Sequence, residues 1–245
     1  MDNFNRPFDM SKYQSVEVSN KARSLMTYTF GWMFLALLIS GACSLLFAFQ
    51  PELLNLLIEP TAEGGHKPTI FAYVVMFAPL AFVLVMSFGF NKLSFPVLLG
   101  LFLLYAAVNG ISLSFIFLAY AMGTIIKVFV SAAALFVVMA VLGATTKTDL
   151  TKMGTFLMMG LFGLIIASLI NMFTKSSTFD YILSFIGVII FTGLTAYNVQ
   201  RVKNLSAESD GSEIYMKMGV MSAFSLYLDF INIFLYLLRL FGRKE

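Results

Sequence analysis

Residues 219–241 read GVMSAFSLYLDFINIFLYLLRLF, a run of 23 residues in which Asp229 and Arg239 are the charges. At ~1.5 Å per residue a helix of this length crosses the hydrocarbon of a bilayer, which is about 30 Å thick. Arg239 lies near the end of the run, where a long side chain can reach the interface. Asp229 lies near its middle, where a carboxylate costs about 2.5–3.5 kcal/mol on insertion scales. An acid kept at that depth is a functional-site hypothesis: it can bind a cation, take up a proton, or hold a buried polar contact.

The rest of the chain supports the membrane reading. Of 245 residues, 59% are hydrophobic and only 12% are charged, about half the usual share of a soluble domain. The mean hydropathy is +0.87. Seven apolar stretches can span: Leu25–Phe49, Ile70–Phe90, Pro96–Tyr120, Ile125–Ala144, Gly154–Thr174, Tyr181–Gln200 and Gly219–Phe241. All are expected to be helices, because open strand edges are not tolerated in lipid. A β-barrel would alternate apolar and polar residues over about ten positions, and these runs are continuous. The fold class is therefore an all-α integral membrane bundle, residues 25–242, with a polar N-terminal tail of residues 1–24 and a short C-terminal tail of residues 243–245. The tail has no charged region followed at once by a short apolar core, so no cleavable signal peptide is expected and the first span acts as the insertion signal.

Lys and Arg set the orientation. With a cytoplasmic N-terminus, Arg6, Lys12, Lys21, Arg23, Lys92, Lys147, Lys152, Arg201, Lys203 and Lys217 lie inside, and Lys67, Lys127 and Lys175 outside. Arg239, Arg243 and Lys244 run against this bias. Either the last segment crosses fully or it is re-entrant, and its length favours crossing.

The net charge of +3 and a pI near 8.9 come from bases scattered at segment ends, so nucleic acid is not an expected partner; the bilayer is. Cys43 is the single cysteine and is read as a small core residue. His66, the one histidine, sits in the polar stretch Gln50–Thr69, and no metal, phosphate or hydrolase motif occurs. No enzyme activity or cofactor is expected. An intramembrane aspartyl protease needs two catalytic acids, and only Asp229 lies deep.

The other polar side chains at membrane depth are Asn109, Asn171, Asn198, Gln200 and Asn232. Asn109 and Asn171 are read as interhelical hydrogen-bond residues. Asn232 adjoins Asp229 on one helix face. Asn198 is expected to be shallow, with Asp229 about 15 Å along its helix if that helix starts at Gly219; their meeting then needs a tilt or an earlier start. Asp149 is expected to cap the fifth segment. Small residues Ala106, Gly110, Gly187, Gly193 and Ala196 suit close helix packing.

Four stretches, TTKTDL (Thr145–Leu150), GVIIFTGLTAYNVQRVKN (Gly187–Asn204), SLYLDFINIFLYLLRLFG (Ser225–Gly242) and NGISLSFIF (Asn109–Phe117), make the chain resemble the Bax inhibitor-1 family from about Ala22 onward. The likeness is strongest to bacterial members. It implies seven helices with the last one central, ringed by the other six, and a pH-sensitive calcium leak. The family's proposed sensor is a pair of aspartates, one in a Tyr–Asp motif of segment six and one in segment seven. Here Asp229 supplies the second, but Tyr197 is followed by Asn198. Where some members have a latch arginine at the end of segment two, this chain has Asn91 and Lys92. An asparagine cannot ionise, so coupled titration of a dyad is expected to be absent, any pH response falls to Asp229 alone, and calcium, which prefers several oxygen ligands, is held weakly. The resemblance points to a calcium-permeable cation pathway with Asp229 and Asn198 as its site and Ca2+ as cargo, in a bacterial cytoplasmic membrane. The alternative is a non-transporting membrane regulator of proteins such as a membrane protease or a stress-response complex.

Overall fold

The computed structural model describes residues 10–61 and 65–242, with side chains described from Leu25 onward except that of His66. Residues 1–9 and 243–245, with Arg6, Arg243 and Lys244, lie outside the described residues, as do the side chains of Lys12, Lys21 and Arg23. The elements in chain order are α1 (Met10–Phe49), α2 (Pro51–Leu57), β1 (Ile58–Pro60), β2 (His66–Pro68), α3 (Ile70–Gly89), α4 (Phe95–Leu113), α5 (Ile116–Ala119), α6 (Met122–Thr145), α7 (Thr151–Thr174), α8 (Ser177–Glu208) and α9 (Glu213–Phe241). Seven spans among the described residues are long and apolar enough to cross a membrane, α4 and α5 together forming the third. α9 is one continuous helix whose two ends lie at opposite ends of the bundle. Its first turn reaches α4, where Glu213 accepts a hydrogen bond from the Phe95 amide, and its last turn faces the start of α8, where Arg239 lies 3.8 Å from Asp180. α9 therefore runs the full length of the bundle, as the crossing alternative expects.

The polar stretch after α1 carries structure that hydropathy does not announce. Pro51 opens α2, and β1 and β2 pair antiparallel with Glu59 opposite Lys67. Thr69 closes the hairpin onto α3: its side chain accepts from the Ala72 amide at 3.1 Å and donates to the Leu56 carbonyl. One residue thus caps a helix and ties it to α2.

α9 is the best-buried span, with 61% of its most apolar window covered, against 6% for α7. Its main neighbours are α8, α1, α6 and α4; α3 packs on α4 and α7 on α8. The last helix is therefore central, but four helices rather than six form its direct surround. α7 shows why: Phe156, Phe162 and Phe173 point outward, 61–80% exposed, which suits lipid and needs no protein partner. Cys43 is half-buried on α1 rather than enclosed.

Close helix contact is made at particular glycines. A Cβ on Gly110 would stand 2.7 Å from Ser40 Cα, and one on Gly143 would stand 2.9 Å from Ala196 Cα. Backbone thus meets backbone where α4 crosses α1 and where α6 crosses α8, as small residues permit in lipid. Gly163, by contrast, has open space around it. Gly143→Val should destabilise the detergent-solubilised protein by about 1–3 kcal/mol, the usual cost of overpacking, while Gly163→Val should be close to neutral; equal shifts in thermal unfolding would refute the contact.

Candidate functional site

Asp229 is 4% exposed and its Oδ2 accepts a hydrogen bond from Asn198 Nδ2 at 2.7 Å. Helix length explains the meeting. α8 continues ten residues past Asn198 to Glu208, ~15 Å of helix, and α9 starts at Glu213, ~24 Å before Asp229. The expected spans ended α8 too early and began α9 too late; with α9 starting earlier, the two side chains meet. Hydropathy failed there because Arg201, Lys203 and Glu208 are polar; they are also good helix formers, and Val202 and Ser206, four apart, are buried on one face of the extension. The chain turns only at Ser209–Ser212, with Gly211 at φ +82°.

Asn198 also lines a cleft of about 540 Å³ between the end of α3, the second half of α8 and the first half of α9. Ser87, Asn91, Arg201, Ser222 and Ser225 face the same space. Asp229 is not on its wall: it lies one turn beyond Ser225 and one hydrogen bond behind Asn198. The cleft mouth bears Arg201 and the opposite end of the bundle bears Arg239. Among the described residues no three His, Cys, Asp or Glu side chains gather into a metal-holding group, so Asp229 offers one carboxylate and an amide rather than a calcium cage.

The opposite face of α9 carries a second polar chain, of which sequence reading found Asn109 but missed Tyr227 and Ser40. Ser40 donates to the Ala106 carbonyl at 2.6 Å, which leaves its oxygen to accept from Tyr227 at 2.7 Å; Tyr227 in turn accepts from Asn109 Nδ2 at 2.8 Å. Asn109 thus bonds across from α4 to α9. Tyr227 is fully buried among edge-on rings of Phe102 and Tyr105, 5.8 and 5.7 Å away. A tyrosine hydroxyl in mid-span needs a partner, which was the available signal. Tyr227 and Asp229 are two positions apart on α9, which puts them on different faces.

The remaining candidates act elsewhere. Gln200 is 7% exposed and straps the α6–α7 loop: Nε2 donates to the Thr148 carbonyl and Oε1 accepts from the Leu150 amide, both at 2.8 Å. Tyr197 lays its ring over Gly154 at the start of α7, where a Cβ would stand 2.5 Å from the nearest ring carbon. Asn232 donates to the Leu228 carbonyl of its own helix, not to Asp229. Asn171 corrects the interhelical expectation: its Oδ1 accepts from Thr174 and from the Ser176 amide, because it sits at the α7–α8 turn where those donors are free. Lys203 donates to the Ala144 carbonyl at the end of α6, a favourable place for a cation.

Asp149 receives both the Thr151 hydroxyl, at 2.6 Å, and the Thr151 amide, at 2.9 Å, at the entry to α7. These donors hold its carboxyl below the ordinary carboxylate range. A depressed value in the folded state stabilises above the ordinary value and is lost as pH falls through the depressed one. Exchange of the Thr151 amide should therefore quicken only in acid, and Asp149→Ala should quicken it at neutral pH and abolish the acid step. Gln200→Ala should cost about 1–3 kcal/mol, the penalty for buried groups left unpaired; an unchanged melting temperature would mean the loop does not depend on the strap.

The sequence matches the family described as "Inhibitor of apoptosis-promoting Bax1" over residues 22–245. An uncharacterized protein of Borreliella burgdorferi is 41% identical over 233 residues, covering 95% of this chain and 96% of that one. The inner membrane protein YbhL of Escherichia coli is 38% identical over 225 residues, 91% and 93% of the two chains. An uncharacterized membrane protein of Streptococcus pyogenes is 38% identical over 201 residues, 82% and 83% of the two. With seven apolar helical spans and a family match over nearly its whole length, the chain belongs to the Bax inhibitor-1 family and is a multi-pass membrane protein.

Proposed function

We propose that this protein is a calcium-permeable cation leak whose inner site is Asp229 together with Asn198. The observation that carries the reading is the 2.7 Å bond from Asn198, a cleft-lining residue, to a carboxylate buried at mid-span. A cation entering the cleft meets Arg201 and Glu208, the amide side chains of Asn91 and Asn198 and the hydroxyls of Ser222 and Ser225 before the charge of Asp229. Oxygen ligands of this kind suit a hard cation. The pair holds one ionisable group, so it takes up a single proton and lacks the coupled titration of two adjacent acids. The reading places the protein in a bacterial cytoplasmic membrane with the Arg201 end towards the cytosol, in line with the Lys and Arg distribution. It calls for no catalysis and no resident cofactor.

A second reading draws on the burial itself. Asp229 is bonded and lies off the cleft wall, so it can serve packing alone in a membrane protein that regulates others, such as a membrane protease or a stress-response complex. Calcium-dye flux into proteoliposomes separates the two. Under the leak reading Asp229→Asn abolishes flux, while Asn198→Asp raises it and makes it steeply pH-dependent, because two carboxylates so close share a proton. Flux that is absent in wild type and in Asn198→Asp, or unchanged by Asp229→Asn, favours the regulator.

A further inference from the structure

One face of α9 carries polar groups from one end of the bundle to the other. Ser222, Ser225, Asp229, Asn232, Tyr236 and Arg239 follow one another at spacings of three and four, which stacks them in a single line ~25 Å long. The line begins in the cleft, where Ser222 and Ser225 face the cavity. It ends in a second polar cavity of about 300 Å³ formed by Arg239, Asp180, Ser168, Asn171 and Tyr120. Between the two cavities stand Asp229, Asn232 and the Tyr236 ring. The α9 face bearing Phe224 and Tyr227 is closed by edge-on rings, and Phe230 and Phe234 are covered by Phe129.

Resting on the leak reading, we infer that this face of α9 is the route across the bundle, that the Asp180–Arg239 cavity is its far mouth, and that Tyr236 is the plug between them. The plug is set by α8. Gly187 leaves a flat place for the Tyr236 ring, since a Cβ there would stand 2.7 Å from two ring carbons. Phe191 stacks on the ring with centroids 5.8 Å apart and planes 27° apart. Arg239 also lies over it, its guanidinium 5.4 Å from the ring centroid. At the mouth Asp180 is the acid available to a cation. Arg239 stands 3.8 Å away and both side chains are about half exposed, 46% and 48%, so the pair is loose and solvated. Arg239 therefore competes with a passing cation for Asp180 rather than sealing the acid off.

The test uses the full chain in a Cys43→Ala background, with Asn232→Cys as the reporter behind the plug and Ser168→Cys marking the mouth. A charged, membrane-impermeant methanethiosulfonate is applied from the side that modifies Ser168→Cys. Asn232→Cys is expected to resist it while Tyr236 is present and to react several-fold faster when Tyr236→Ala is added. Tyr236→Phe keeps the ring and should stay protected. Gly187→Ala, which evicts the ring by a different means, should open the same access and serves if Tyr236→Ala does not fold. An unchanged modification rate in both opening variants overturns the route, whatever the flux. In proteoliposomes Tyr236→Ala and Arg239→Gln should raise calcium flux several-fold, and Arg239→Lys should not. Labelling that opens while every variant, Asn198→Asp included, stays silent in flux supports the route and overturns the leak reading instead.

Discussion

A carboxylate surrounded by hydrocarbon has to find its donor inside the protein, and the architecture follows from that demand. Asp229 takes its hydrogen bond from Asn198 on the neighbouring helix at 2.7 Å. Such a pair is stable only if lipid is kept from both helices along the shared face, since each polar group left bare there costs free energy. α9 accordingly sits in the middle of the bundle and α8 lies along it. Helices without such groups need no shelter, and α7, whose outward face is Phe, Ile, Leu and Met, stands at the rim.

The two sides of α9 answer this demand differently. Towards α1 and α4 the polar chain from Asn109 through Tyr227 and Ser40 to the Ala106 carbonyl has a donor for every acceptor, and aromatic rings fill the space around it. That side binds three helices into one unit. Towards α8 the polar line is interrupted by cavities at both ends, and its members bond singly or to their own helix. Freedom to rearrange therefore belongs to the α8 side, which is also where the buried acid is.

Much of this could be read from the residues alone, because hydropathy and length decide a membrane helix. The seven spans were legible, and so was the burial of Asp229. The helix ends were not. Arg201 to Glu208 look like a loop on a hydropathy scale, yet they extend α8 into water as an amphipathic helix, and that extension places Asn198 beside Asp229. Asn171 looked deep because apolar residues flank it, but its bonds belong to a turn. Tyr227 was passed over because tyrosine counts as apolar in a span. Gln200 was visible as a polar residue near a helix end, but nothing local says that its amide reaches 50 and 52 residues back to the α6–α7 loop. Partner identity is a tertiary fact, and spacing within one helix does not contain it.

The meeting of Gly143 with Ala196 has a mechanical meaning. Because no side chain lies between the two backbones, α6 and α8 cannot be pressed closer, and drawing them apart would leave a void with its lost dispersion contacts. Rolling about the touching point is the motion that remains. The crossing thus behaves as a fulcrum for α8, and Ala196 lies only two residues from Asn198. A small tilt there swings the long arms of the helix, one towards Asp180 and the other towards Glu208, while the amide that holds the buried acid hardly shifts.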